Sequence, residues 1–592
     1  MSQTVRERID SLRVQMKAEN LDWFLDTGTD SHMSEYVASH WRTRAFLTGF
    51  TGSAGFVLVG MDGAWLWTDS RYFIQAAAQL EGSGVTLMKL DTDDPDLAGL
   101  LARKAERGQR LGLCAGTVSI SEFRSRKEAL SGLGLELVAC DDLVGRIWQD
   151  RPPVPCTGIR VMPDAVCGQD SASKLAEIRQ RLSEAKCGYT FIAAVDDIAW
   201  ITNLRADDVP CNPVFVSFLF IDMERAVLFT QKERFDSISL AKLEENFILY
   251  GYDEVCSVLP SLVHGRARYN DEKVSMAFCS MLGEDASVGR DWSTDLKARK
   301  NPVELEGMRK SHVMDAVAFI NAFSRIDFSA TDSTYSEISI SDAFEEARKR
   351  LPGYLGPSFS PISGFGPNGA MCHYSATAES NAAIDRPGLL VLDTGSQFDC
   401  GMTDITRTLL FGEATAEQKK DYTLTLKGHL ALSRAVFIQG TRGYQLDVLA
   451  KQFMWAEGMS FYHGTGHGVG FNLNVHEGPM RISAAPVDVP LETGMVISDE
   501  PGIYKEGRHG IRIENLIAVK EDMKTEFGQF LSFEVLTLVP YERRLIDLDL
   551  LTLGERAQID AYHDRIWNTL KDLVEPSARD YLRQCTLPLL EC

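Results

Sequence analysis

Two stretches of this chain repeat one succession of patterns, and that duplication constrains the architecture more tightly than any other feature of the sequence. Ala45-Phe46-Leu47-Thr48-Gly49-Phe50 aligns with Ala199-Trp200-Ile201-Thr202-Asn203-Leu204, and Ala64-Trp65-Leu66-Trp67-Thr68 aligns with Ala226-Val227-Leu228-Phe229-Thr230. Between the two motifs each copy carries a β-like run, 55–60 in one and 214–221 in the other. Each copy also follows apolar residues at helical spacing: Val5, Ile9, Leu12 and Met16, then Leu175, Ile178 and Leu182. The expectation is two related α/β domains, 1–150 and 156–300. Arg151-Pro152-Pro153-Val154-Pro155 joins them, its prolines lacking donors and holding the backbone extended.

A third domain opens at Asn301-Pro302-Val303-Glu304, where an N-cap residue, a proline at the first helical position and a nearby Glu start a helix. Leu305, Met308, His312, Phe319 and Phe323 continue it with a core-facing stripe. Beyond lie strand-like runs, among them Gly388-Leu389-Leu390-Val391-Leu392-Asp393 and a run over 510–519 with a period of two, read as one strand. From about Leu553 a helical pattern returns, so 301–592 is expected to be one domain with a helical tail and the whole chain to be α/β (α+β).

Charge and apolar runs exclude several classes of partner. Asp and Glu number 83 against 61 Lys and Arg, a net charge of −22, which repels nucleic acid and anionic membrane surfaces. The longest apolar run, 214–221, falls far short of the ~20 residues that span a bilayer. The start, MSQTVRERIDSLRVQM, has no apolar core of a secretory signal. Twelve cysteines lie scattered from Cys114 to Cys592 with no Cys-x-x-Cys pair, so reduced thiols and a cytoplasmic location are expected.

The chemistry-bearing residues gather in the third domain. Asp393 and Asp404 flank the turn-forming Asp399-Cys400-Gly401, so a hairpin can bring both carboxylates to one face. A buried unpaired carboxylate is costly, and a divalent cation between the two removes that cost; a turn Asp plus a solvated Asp is the plainer alternative. His463-Gly464-Thr465-Gly466-His467-Gly468 places two histidines among glycines that permit close approach to a ligand and positive φ, and His476 follows. Glu500, before Pro501, and Glu514, within an apolar strand, add two carboxylates; Arg512, two residues from Glu514, could instead be a simple ion-pair partner for it. Four carboxylates and one imidazole match two divalent cations of the Mn, Co, Zn or Fe(II) kind, the apparatus for amide hydrolysis. Gly364-Phe365-Gly366-Pro367-Asn368-Gly369 formally fits a dinucleotide-binding loop but contains Pro367 and no helix pattern follows, and no HExxH is present.

Asp393, Asp404, His467, Glu500 and Glu514, in that order and context, resemble the ligand set of the pita-bread metallopeptidases. Within that group the chain is most similar to the long, three-domain, cytosolic type of aminopeptidase P (Xaa-Pro aminopeptidase). Arg44-Ala45-Phe46-Leu47-Thr48-Gly49-Phe50-Thr51-Gly52 and Trp67-Thr68-Asp69-Ser70-Arg71 resemble its creatinase-type N-terminal domain, and Asp196-Asp197-Ile198-Ala199-Trp200 its related middle domain. The resemblance implies a pita-bread catalytic domain holding two divalent ions, Mn first, with Co or Zn as alternatives. Asp393 would bind one ion, Asp404 and Glu514 both, and His467 with Glu500 the other. Glu500 would also accept the proton of the attacking water. His373, His463 and His476 would face the substrate, Arg512 would orient a bridging carboxylate, and Arg44 would serve as a further substrate or orienting residue. Ile503 and His509 depart from the family pattern, which has a Tyr and an apolar aromatic there. The implied activity is release of the residue before a penultimate proline, by a homodimer. A prolidase confined to Xaa-Pro dipeptides shares every ligand, and a metal-free binding module of the same fold would have lost them.

Overall fold

The repeated patterns become two six-stranded sheets of identical topology. In the computed structural model, which describes residues 4–589, the first runs Thr86–Lys89, Ala64–Thr68, Phe56–Gly60, Trp23–Asp26, Arg110–Cys114, Glu136–Cys140. The second runs Ile248–Tyr250, Ala226–Phe229, Phe218–Asp222, Tyr189–Ile192, Ala267–Tyr269, Ala286–Val288. Each is antiparallel in its central pairings and parallel outside them. The aligned motifs are the same device twice: helix Thr43–Thr48 ends on Gly49 and helix Val195–Thr202 ends on Asn203, both left-handed at φ 80 and 53. Gly and Asn are the residues that tolerate such a cap. The run 214–221 is shorter as a strand than its apolar pattern suggested, beginning only at Phe218.

Both sheets belong to one compact unit, Met1–Asp164 with Gln169–Thr294; Ala165–Gly168 with Asp295–Cys592 form the other. In the second unit Asn301 caps helix Pro302–Phe323 with a full capping box. The helix buries Met308, His312, Phe319 and Phe323, and the last two share one core with Phe344 of helix Glu337–Arg348 and strand residues Leu390 and Leu392. Three antiparallel strands, Ile362–Phe365, Gly388–Thr394 and Ile405–Phe411, and a four-stranded sheet of Val436–Ile438, Gly528–Val535, Asn515–Thr525 and Val496–Asp499 carry or flank the four candidate carboxylates, and His467 lies on the short strand Gly466–His467. Helices Leu553–Leu570 and Arg579–Cys585 form the tail.

The run 510–519 is not one strand. It breaks at Ile513 and Glu514 into His509–Arg512, paired with Gly502–Lys505, and Asn515–Thr525, paired with Val496–Asp499. The opposing chain breaks at the same level, at Glu500 and Pro501. Among the described residues every cysteine is a free thiol, and no helix is long and apolar enough to cross a membrane; Cys592 lies outside the described residues.

Candidate metal centre

The expected hairpin forms. Gly388–Thr394 pairs with Ile405–Phe411, with Asp393 opposite Thr406, and the turn strands pair Phe398 with Gly401. Asp404 sits immediately before the second strand, so both carboxylates reach one buried face. Glu500 and Glu514 arrive from the two facing breaks of the other hairpin. There the ladder is interrupted because Pro501 has no N–H; Glu514 N–H turns to the Thr406 carbonyl (3.1 Å) and Glu500 N–H to the Thr465 carbonyl (2.8 Å). His467 completes the set. Its Nε2 lies 3.5 Å from Asp404 Oδ2 and 3.5 Å from Glu500 Oε1. Donor atoms of Asp404, His467 and Glu514 lie within 4.8 Å of one another.

The glycines beside His467 act differently from expectation. Neither Gly466 nor Gly468 takes positive φ. A Cβ on Gly466 would meet the Ser498 carbonyl at 1.8 Å and one on Gly468 the Glu477 carbonyl at 2.1 Å, so what approaches closely is neighbouring backbone, not a ligand. The Gly364–Gly369 run likewise serves packing: a Cβ on Gly510 would strike the Gly369 carbonyl at 1.7 Å.

Electrostatics point to the kind of ligand that this centre takes. Burial, then the charge of Asp393, pushes Asp404 well above the usual carboxylate range; burial, then the charges of Asp404 and Asp393, does the same to Glu514. Glu500 is pushed up to about 7 by burial and Asp393, against the pull of Arg512. Asp393 Oδ1 and Asp404 Oδ1 are buried with no hydrogen-bond donor among the described residues. His467 Nδ1 lies 3.0 Å from the Gly468 carbonyl and donates to it, which turns Nε2 toward the two carboxylates. Crowded, buried, donor-starved oxygens beside an imidazole nitrogen fit divalent cations, which satisfy all of them at once.

Arg512 is buried and its partners correct the expectation for it. Nη2 donates to Asp393 Oδ2 at 2.6 Å, not to a carboxylate assigned a bridging role. It touches Glu514 only through Thr406, whose Oγ1 accepts from Arg512 Nε (3.3 Å) and donates to Glu514 Oε2 (2.6 Å). Its Nη1 donates to Tyr504 OH at 2.8 Å, and Tyr504 OH lies 2.9 Å from His463 Nε2. His463 Nδ1 bonds the Gly464 carbonyl, so Nε2 accepts from the phenol. Tyr504 was missed in the sequence because its role depends on hairpin register, Gly502 opposite Arg512. It supplies the phenol expected at 503, where buried Ile503 packs on Leu424, Met454 and Phe461. His509 instead pairs with Asp421 (2.9 Å).

His476 stacks edge-on to His467, ring centres 4.3 Å apart. His373 is half-buried and follows Cys372, whose carbonyl accepts from Arg512 Nη2 at 3.3 Å. Arg44 belongs to the first unit, where it is buried and its guanidinium donates to the carbonyls of Gly52 and Gly55. Those bonds hold the loop after helix Thr43–Thr48 and explain Arg44 without a substrate.

Residues 306–521 match metallopeptidase family M24, and 529–589 match the C-terminal region of that peptidase family. Residues 8–147 and 150–304 each match a creatinase/prolidase N-terminal domain. A probable Xaa-Pro aminopeptidase P of Botryotinia fuckeliana is 39% identical, over 96% of this chain and 90% of its own length. That of Aspergillus niger is 37% identical over 98% of each. The crystal structure of X-prolyl aminopeptidase from Caenorhabditis elegans, described as a cytosolic enzyme with a di-nuclear active site, superposes with a TM-score of 0.94 at 32% identity, covering 99% of this chain and 100% of that one.

Proposed function

The chain belongs to metallopeptidase family M24, and from that premise we propose that it is a metal-dependent aminopeptidase releasing the N-terminal residue from peptides with proline in second position. The observation that carries the reading is the convergence of Asp393, Asp404, His467, Glu500 and Glu514 with buried carboxylate oxygens that lack donors. Asp393 would hold one ion, Asp404 and Glu514 both, and His467 with Glu500 the other. Two divalent ions there supply a Lewis acid for the scissile carbonyl and a water acidic enough to attack it. An oxygen-rich donor set with one imidazole suits Mn first, with Co and Zn next.

The chain's own groups do the rest. Glu500, beside the site of the ions, would accept the water's proton. Arg512 fixes Asp393 and, through Thr406, Glu514. Tyr504 ties Arg512 to His463, whose two ring nitrogens are thereby engaged, so His463 lines the substrate site while His373 and His476 present imidazoles to the peptide, where a donated proton stabilises charge on the carbonyl oxygen. The bond before proline is a tertiary amide with no N–H, so a site that packs the ring and presents the preceding carbonyl selects proline positively.

We further propose the division into domains 1–150, 156–300 and 301–592, a cytoplasmic location and a homodimer. Exposed Tyr444, Val448 and Trp455, at helical spacing on Gly443–Trp455, offer an apolar surface for a second copy. Substrate length tests the activity. Release of Xaa from Xaa-Pro-Yaa and from a nonapeptide beginning Arg-Pro is expected, with Xaa-Ala-Yaa cut at least about tenfold less efficiently. Cleavage of Xaa-Pro alone would make the protein a prolidase, and a purified protein that holds no metal would make it a binding module.

A further inference from the structure

Beneath the carboxylates lies a buried ion pair that the chemistry does not touch. Asp315 of helix Pro302–Phe323 and Arg348, the last residue of helix Glu337–Arg348, have side chains 0% and 1% exposed. Arg348 Nε donates to Asp315 Oδ1 at 2.7 Å and Nη2 to Oδ2 at 3.0 Å. The pair's other side-chain hydrogen bonds go to the loop between Asp393 and Asp404. Arg348 Nη1 donates to Thr394 Oγ1, Ser396 Oγ to Asp315 Oδ1 (3.2 Å), and Thr403 Oγ1 to Asp315 Oδ2 (2.5 Å). Thr394 follows Asp393 and Thr403 precedes Asp404. In the strand Gly388–Thr394 successive side chains point to opposite faces, so the Asp393 carboxylate turns to the metal centre as the Thr394 hydroxyl turns to the ion pair. At the other end Asp404 faces His467 while Thr403 reaches back to Asp315.

A buried ion pair is a poor source of net stability, because desolvating two charges offsets their attraction, so its presence calls for another role. Here both ends of the ligand-bearing loop are fastened to one rigid object. We propose that Asp315 and Arg348 are positioning residues that set the spacing of Asp393 and Asp404, and thereby the affinity for the second of two metal ions. Two ions sharing carboxylates must sit ~3.5–4 Å apart, a tolerance that a free loop does not hold. The proposal rests on the dinuclear reading above.

Equilibrium dialysis against Mn(II), with metal counted per chain, tests it on the full-length protein as wild type, Asp315→Asn and Thr403→Val. The expected result is two Mn in wild type. In both variants the first Mn binds as before and the second about tenfold or more weakly, with kcat recovering as Mn is raised. A purely structural role would lower the melting temperature of the metal-free protein and leave the second affinity alone. Should Asp315→Asn fail to fold, Thr403→Val decides, since it keeps the ion pair and deletes one hydroxyl; a smaller loss of second-site affinity there overturns the proposal. Wild type that takes up fewer than two Mn would instead remove the dinuclear reading itself.

Discussion

Stripping the metal leaves a buried carboxylate cluster whose cost Glu500→Gln can measure. In the folded metal-free protein the Glu500 carboxyl titrates at about 7 instead of its ordinary 4.5, raised by burial and by Asp393. Unfolded, it titrates near the ordinary value, so between the two the folded state holds a proton that the unfolded state has lost. The stability that Glu500 contributes therefore falls as pH rises from about 4.5 to about 7 and its share levels off above, while Asp404 and Glu514, also raised, act with the same sign. At about 1.4 kcal/mol per factor of ten, that gap amounts to about 3 kcal/mol, or roughly 5–10 °C in melting temperature for a domain of this size. Buried His312 and His563, lowered to about 4 and about 3 by burial, act with the opposite sign, gaining stability as pH rises toward 6.5. Both proteins carry them, so they cancel in the comparison; Asp404 and Glu514 do not cancel in full, because the Glu500 charge helps to raise both and Gln removes it, which adds to the variant's advantage. Gln keeps the shape and cannot ionise. Calorimetry of the two chelated proteins should show the variant's advantage growing by at least about 3 kcal/mol as pH rises from about 4.5 through about 7; with Mn added the order reverses, because wild type alone keeps the ligand. Parallel stability curves for the chelated proteins across that range would refute the reasoning.

The remaining expectations concern the same centre. Asp404→Ala and Glu514→Ala should lose nearly all activity and metal together, whereas His373→Ala and His463→Ala should keep metal and lose turnover and His467→Ala should weaken metal binding; elemental analysis beside kcat separates them. Tyr504→Phe removes an acceptor from Arg512 and a donor from His463, one charge-assisted bond and one neutral. It should cost about 1.5–3 kcal/mol in kcat/KM, roughly 10–100-fold, at unchanged metal content.

The duplicated sheets were legible because their signature is local. A short helix closed by a left-handed Gly49 or Asn203 and followed by paired strands leaves the same trace in both copies. Of the five donors, Asp393 and Glu514 stood out as carboxylates in apolar strands, where they are chemically expensive, and the set as a whole was assigned through its resemblance to the pita-bread metallopeptidases. What escaped the sequence was set by pairing across long separations. Asp315 and Arg348 are on different helices, and their targets Thr394, Ser396 and Thr403 read as ordinary strand hydroxyls. Arg44 looked available for a substrate because nothing local reveals that the Gly52 and Gly55 carbonyls fold back onto it.

The misreading of 510–519 shows how the centre is built. An unbroken strand with a period of two would put Arg512 and Glu514 on one face, next to each other, as an ion pair. Such a pair would neutralise the carboxylate and leave no charge for a cation. The break at Ile513 and Glu514 separates them: Arg512 stays in the ladder opposite Gly502 and reaches Asp393, while Glu514 leaves it and is held by Thr406. The facing break owes its position to Pro501, which cannot donate to the ladder, and Ile513 N–H bonds only the Pro501 carbonyl across the gap, at 3.3 Å. Both glutamates thus leave the strand alternation at one level and converge with Asp393, Asp404 and His467. Pro501 is in this sense part of the metal centre without touching it, since a regular ladder at that level would return Glu514 to Arg512.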